Sequence, residues 1–115
     1  MAISVDITND MHFLVVSISG RIITDEGLNS SLQTVEAELS AKKFKAIVCS
    51  CSELEYANST GLNFFIRLLT RARKQGIDCV LVDLQPVIAR LFEVSKLNEI
   101  FSCFHSFEEV KTKFQ

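Results

Sequence analysis

The residues best placed to do chemistry in this 115-residue chain are the hydroxyls of Ser59 and Thr60, which follow Asn58 and precede Gly61 and Leu62. Small polar residues set between a β-like run and a helically spaced one mark a helix start. Asn58 or Ser59 can cap that helix by accepting an amide hydrogen bond from its first turn, and Gly61 permits close packing. A hydroxyl here also lies beside unpaired backbone N–H groups and the positive end of the helix dipole, where a phosphate is stabilised. Ser59 is therefore a sensible phosphoacceptor, with Thr60 as its substitute. Nearly two added negative charges need not unfold the helix and would repel a partner docked on that surface. Capping and phosphorylation both stay open on local grounds.

A catalytic reading competes with these. Ala57-x-Ser59-x-Gly61 is one residue away from the Gly-x-Ser-x-Gly nucleophile elbow, and Ser59, Asp83 and His105 follow the order of a hydrolase triad. Against a serine hydrolase stand the short chain and the stretch from Ser50 to Asn58, which reads as a loop too long for a sharp elbow. The expectation is that the protein is not an enzyme. His12 reads as a surface residue of a hairpin strand. Cys49, Cys51, Cys79 and Cys103 contain no Cys-x-x-Cys pair and are expected to be buried thiols, not a metal or redox site. The glycines at 20, 27, 61 and 76 are isolated, so no phosphate-cradling loop and no cofactor are expected.

These groups need elements to hold them. Ile3, Val5 and Ile7 alternate with polar residues, and Asn9-Asp10 offers turn chemistry before Phe13 to Ile18, which predicts an N-terminal β-hairpin closed at Gly20. Leu28, Leu32, Val35 and Leu39 predict a first helix over 24–41 with Thr24 as its N-cap. The apolar runs 46–49 and 79–82 predict short strands buried on both faces. Between them a second helix begins near Ser59 and ends at Gly76, after a basic last turn of Arg71, Arg73 and Lys74. Pro86 opens a third helix bearing Ile88, Leu91 and Phe92, and Phe101 to Phe104 predicts a short strand. Ser106 and Glu109 have capping-box spacing before a short terminal helix. The predicted fold is α/β: one domain over 1–115, with a mixed, mainly parallel sheet of about five strands and four helices.

Composition narrows the partners. Twelve Lys and Arg against 14 Asp and Glu leave a net charge of −2, which gives no basic field for nucleic acid or an anionic membrane. At 48% hydrophobic and 23% charged the balance is that of a folded globular chain. Its apolar stretches fall well short of the ~20 residues that span a bilayer. The start of the chain lacks a basic segment followed by an apolar run, so a cytoplasmic location is expected.

The order of elements and several strings resemble the STAS domain of anti-sigma factor antagonists over nearly the whole chain. The strings are Ile18-Ser19-Gly20-Arg21, Asn58-Ser59-Thr60-Gly61-Leu62, Val82 to Pro86 followed by Ala89 to Phe92, and Ser95-Lys96-Leu97 with Phe101. The resemblance implies a protein without catalytic activity. Its serine is phosphorylated by an anti-sigma factor that is also a serine kinase of the histidine-kinase-like ATPase fold, and a phosphatase restores binding. By position the phosphorylated residue is Ser59. The implied docking surface takes in Thr24 and Asp25 at the start of the first helix, Asn58 to Leu62, and the outer face of the second helix. On that helix Leu62, Phe65, Ile66 and Leu69 read as the core stripe. Phe64 and Leu68, four residues apart, read either as an exposed docking patch or as part of a broad buried face. Three positions depart from the family pattern: Asn58 replaces an Asp, Ile23 replaces an Asp, and Ser50 replaces an acidic or amide residue ending the third strand. An alternative is a STAS interaction module in another signalling or transport assembly, without the phospho-switch.

Overall fold

Alternation of apolar and polar residues at the start of the chain makes β1 (Ser4–Asp10), which pairs antiparallel with β2 (Phe13–Ile22). The computed structural model describes residues 3–114. Its order continues α1 (Leu28–Ala41), β3 (Ala46–Ala57), α2 (Ser59–Lys74), β4 (Asp78–Val82), α3 (Pro86–Val94), β5 (Ser102–Phe104) and α4 (Phe107–Lys113), with a short 3-10 turn at Leu97–Glu99. The strands form one sheet in the order β1-β2-β3-β4-β5, parallel except for the first pair. Consecutive parallel strands joined by same-handed crossovers place their helices on one face. Leu32 and Val35 of α1, Phe65 and Leu68 of α2, and Ile88 and Phe92 of α3 accordingly share a single core. The opposite face carries a smaller cluster, Phe13, Val48, Val80 and Val82, closed by Val110 of α4. The α/β class, the hairpin, the five strands and the four helices agree with the sequence reading.

Two elements differ from it. The third strand does not stop at Cys49: it runs 12 residues to Ala57, and the stretch read as a loop is its second half. The polar residues Ser52, Glu53 and Glu55 hide the alternation, but Leu54 and Ala57 are buried and the backbone pairs with β2 as far as Ile22↔Ala57. Since β4 ends at Val82, opposite Ser50, β2 and β3 continue together past the rest of the sheet as a two-stranded tip. Irregular register at Ser17/Ser19 and Gly20/Arg21 lets the two strands stay paired over that length. Ser50 therefore lies in the middle of β3, not at its end.

The first helix begins at Leu28, four residues later than expected. Gly27 adopts φ 79°, a left-handed conformation that cannot belong to a right-handed helix, so the turn before it stays outside. Thr24 is consequently not the N-cap. Its Oγ1 accepts the Glu26 N–H at 3.4 Å inside that turn.

The other helix ends follow the sequence reading closely. Gly76 at φ 72° stops the chain after α2, and Ser106 accepts the Glu109 N–H at 3.3 Å to cap α4. Glu109 returns the favour one residue further out, its Oε1 accepting the His105 N–H at 2.7 Å. Among the cysteines, Cys49, Cys51 and Cys79 are buried as expected, but Cys103 is exposed on the short edge strand β5. Topology brings the buried thiols together, with Cys49 Sγ 3.8 Å from Cys79 Sγ across β3 and β4.

Candidate functional site

The tip of β2 and β3 carries the head of α2, and Asn58 fastens the two. Its Oδ1 accepts the N–H groups of Thr60 at 3.0 Å and Gly61 at 3.4 Å, while its Nδ2 donates to the Ile23 carbonyl at 3.0 Å. Its own N–H donates to the Ile22 carbonyl at 3.1 Å, and its carbonyl accepts from Leu62. One side chain thus caps the helix and ties it to the strand end that precedes α1. Of the two capping candidates, Asn58 holds the role, which leaves Ser59 exposed as the first helical residue.

Gly61 sits where the helix presses on the tip. A Cβ built there would stand 2.8 Å from the Ala57 Cβ and 2.9 Å from the Ile22 Cβ, closer than carbon atoms can pack, so only glycine fits without displacement. The first turn of α2 contains no acidic residue, and its last turn holds Arg71, Arg73 and Lys74. The head of this 16-residue helix therefore presents positive dipole ends with no nearby carboxylate of its own turn to oppose an incoming anion.

The structure brings most of the expected site together. Asp25, at the turn before α1, and Thr60, half-buried on α2, line the same groove between the two helices. Thr24 is exposed in that turn, Leu62 is half-buried, and Ile23 is exposed, contributing its carbonyl to Asn58. Phe64 and Leu68 do not belong to the surface: they are 2% and 0% exposed and pack in the core. The apolar face of α2 is centred on Gly61, Phe64, Phe65, Leu68, Leu69 and Ala72, because the helix is covered on one flank by α1 and beneath by the sheet. Ile66, placed in the core stripe by spacing, is only partly buried. Two polar groove residues, Asn63 and Arg67, went unnoticed in the sequence, although Thr60, Asn63 and Arg67 show the helical spacing that puts them on one face.

The triad order does not become a triad. Asp83 and His105 line a cleft of about 460 Å³ with Ser52, Leu84, Cys103 and Phe104, and Ser59 is not part of its wall. Partial desolvation raises the Cys103 thiol above its ordinary range, the opposite of what an activated nucleophile requires. No group of three or more metal-ligating side chains assembles among the described residues.

A hydroxyl-bearing helix head on a strand tip, beside a five-stranded sheet with helices α1 to α3 on one face, is an arrangement with relatives. Residues 2–111 match the family model of the STAS domain. The chain belongs to the STAS domain family. Over 90 residues it is 28% identical to BtrV of Bordetella bronchiseptica, to which the role of anti-sigma factor antagonist is assigned, covering 76% of this chain and 78% of BtrV. The solved anti-sigma factor antagonist of Mycobacterium paratuberculosis superimposes with a TM-score of 0.78 at 21% identity, over 98% of this STAS domain and 94% of that chain. The antagonist SpoIIAA in its unphosphorylated form gives 0.79 at 11% identity over 95% of each chain. The phosphorylated form of SpoIIAA, from Bacillus, gives 0.70 at 12% identity over 96% of this chain and 98% of that one. At these identities the structural likenesses concern the fold. STAS anti-sigma factor antagonists are regulatory binding proteins, not enzymes.

Proposed function

We propose that this STAS domain is an anti-sigma factor antagonist whose partner binding is switched by phosphorylation at Ser59. The partner is an anti-sigma factor that is also a serine kinase of the histidine-kinase-like ATPase fold. Unphosphorylated, the domain binds it at the head of α2 and the turn before α1, and the sigma factor is released by competition. Phosphate on Ser59 ends that binding, and a phosphatase restores it, all within the cytoplasm.

The observation that supports this most is the setting of Ser59. It is exposed, it is the first residue of a long helix, its neighbour Asn58 already performs the capping, and the first turn bears no carboxylate. The hydroxyl is therefore free of structural duty, and a dianion on it is stabilised by the helix head while changing the docking surface by nearly two charges. That SpoIIAA has been solved in both unphosphorylated and phosphorylated forms on the same fold agrees with a switch of this kind.

The test is an affinity capture with wild type, Ser59→Asp and Ser59→Ala as baits, followed by phosphate transfer from ATP in the recovered complex. Wild type and Ser59→Ala should both retain an ATPase-type anti-sigma factor, Ser59→Asp should lose it by about tenfold in affinity, and only wild type should incorporate phosphate. Phosphate on Ser59→Ala would move the acceptor to Thr60. Equal retention by wild type and Ser59→Asp would instead favour a STAS module of another signalling or transport assembly. Ile23 and Asn58, which stand where the family pattern has Asp, support that second reading.

A further inference from the structure

A groove of about 180 Å³ runs between the head of α1 and the first two turns of α2, lined by Asp25, Leu28, Thr60, Asn63, Phe64 and Arg67. Leu28 and Phe64 are buried and form its floor. Thr60, Asn63 and Arg67, spaced by three and four residues, form the α2 wall. Arg67 is exposed, and its Nη1 donates to a neutral group, Asn29 Oδ1, at 3.4 Å. One turn further on, Arg71 is neutralised by Glu36 at 3.0 Å. Among the described residues no carboxylate stands within ion-pair distance of Arg67. Along the helix Arg67 lies roughly 12 Å from Ser59 at ~1.5 Å per residue, well inside the ~800 Å² that one partner of a stable complex covers.

We infer that this groove selects the partner by charge, the anti-sigma factor placing a carboxylate over Arg67 and a cationic or N–H-bearing side chain over Asp25. Arg67 is then a specificity-determining residue of the docking surface. The inference rests on the partner-switch reading given above. A guanidinium offers a rigid fork that a carboxylate matches with two parallel hydrogen bonds, and the neutral Asn29 oxygen fills this role poorly. Asp25 at the other end of the groove supplies the opposite sign, so the pair fixes the direction in which a partner segment lies and penalises one of reversed charge. The switch and the selector are separate: Ser59 decides when binding occurs, and Arg67 decides with whom.

The experiment titrates the purified ATPase-type anti-sigma factor of the same organism against wild type, Ser59→Asp, Arg67→Glu, Arg67→Gln and, as a control for charge elsewhere on α2, Arg73→Glu. Arg67→Glu should weaken binding about tenfold or more and flatten its salt dependence, Arg67→Gln should lose about threefold, and Arg73→Glu should stay within about twofold of wild type. Changing the facing carboxylate of the anti-sigma factor to Lys should restore binding to Arg67→Glu. An unchanged thermal midpoint in Arg67→Gln separates lost contact from lost fold. Wild-type affinity in both Arg67 variants, with Ser59→Asp still defective, overturns this inference and leaves the switch standing. Loss in Arg67→Glu with Ser59→Asp unaffected does the reverse. A wild-type domain that does not bind the anti-sigma factor overturns both.

Discussion

At the scale of single residues, the site depends on a division of labour between neighbours. Asn58 spends its amide on both sides of a junction, accepting from two N–H groups of α2 and donating to the Ile23 carbonyl. A carboxylate could take the first role but has no hydrogen to give to Ile23, which is a physical reason for an amide here. Asn58→Ala should lower unfolding free energy by about 1 kcal/mol in urea titration, the usual worth of an N-cap, and should loosen the turn before α1 as well. The buried thiols make a second prediction. The hydrogen bond to Cys79, followed by burial, raises the Cys49 thiol well above its ordinary value, and burial chiefly does the same for Cys51. In the unfolded chain both titrate near ~8.5, so above that pH the unfolded state holds fewer protons than the folded one. Stability is therefore full below about pH 8.5 and falls by up to about 1.4 kcal/mol per pH unit for each thiol above it. Chemical denaturation between pH 7 and 10 should show this slope, reduced in Cys51→Ala. A flat profile would mean that these thiols titrate alike in both states. The four cysteines are scattered in sequence, and their types already suggested inert burial. Which one escapes it, Cys103, follows from its place on a three-residue edge strand.

At the scale of elements, the position of Ser59 is decided by how α2 meets the strand tip. Gly61→Ala would force its Cβ against Ala57 and Ile22 and lift the helix head, at a cost of roughly 1–3 kcal/mol for overpacking. Partner affinity should fall with it, because Asn58, Ser59 and Thr60 move together. Gly27→Ala offers a contrast: no atom lies within 4 Å of the added carbon, but φ is 79°. Its cost, about 1–2 kcal/mol, is backbone strain alone, and thermal unfolding should register it without a change at the head of α2. These two glycines show what was readable and what was not. Gly61 among small polar residues points to close packing from the sequence alone. The role of Gly27 in delaying α1 was masked by Thr24, a good capping residue four positions ahead of Leu28, where the apolar pattern begins. The far half of β3 was masked in the same way, since its polar residues face solvent beyond the helix layer and only pairing with β2 makes it a strand.

At the scale of the whole molecule, one core joins α2 to the rest of the fold. Phe65 of α2, Phe92 of α3 and Phe101 ahead of β5 stack edge to face, with ring centroids 5.4, 5.7 and 6.5 Å apart. Phe92 is fully buried, so Phe92→Ala should cost about 3–5 kcal/mol, measurable as a lowered urea midpoint with the partner site otherwise intact at low denaturant. The radius of gyration, 12.9 Å, matches the ~13 Å of a compact domain of this length, and α4 closes the second face through Val110 with Phe107 and Phe114 around Phe13. By itself the sequence determined the class of fold, the number and order of its elements, and the place of Asn58 to Leu62 at the head of a helix. Those features are local: strand alternation, caps and chain-breaking residues are written in adjacent positions and act over a few ångströms. Tertiary structure alone decided that Phe64 and Leu68 are core, that Asp83 and His105 line a cleft whose wall leaves out Ser59, and that Asp25 and Arg67 line one groove. Each of these depends on which face a neighbouring element covers, and that is set by packing between segments distant in the chain, where spacing along the sequence carries no information.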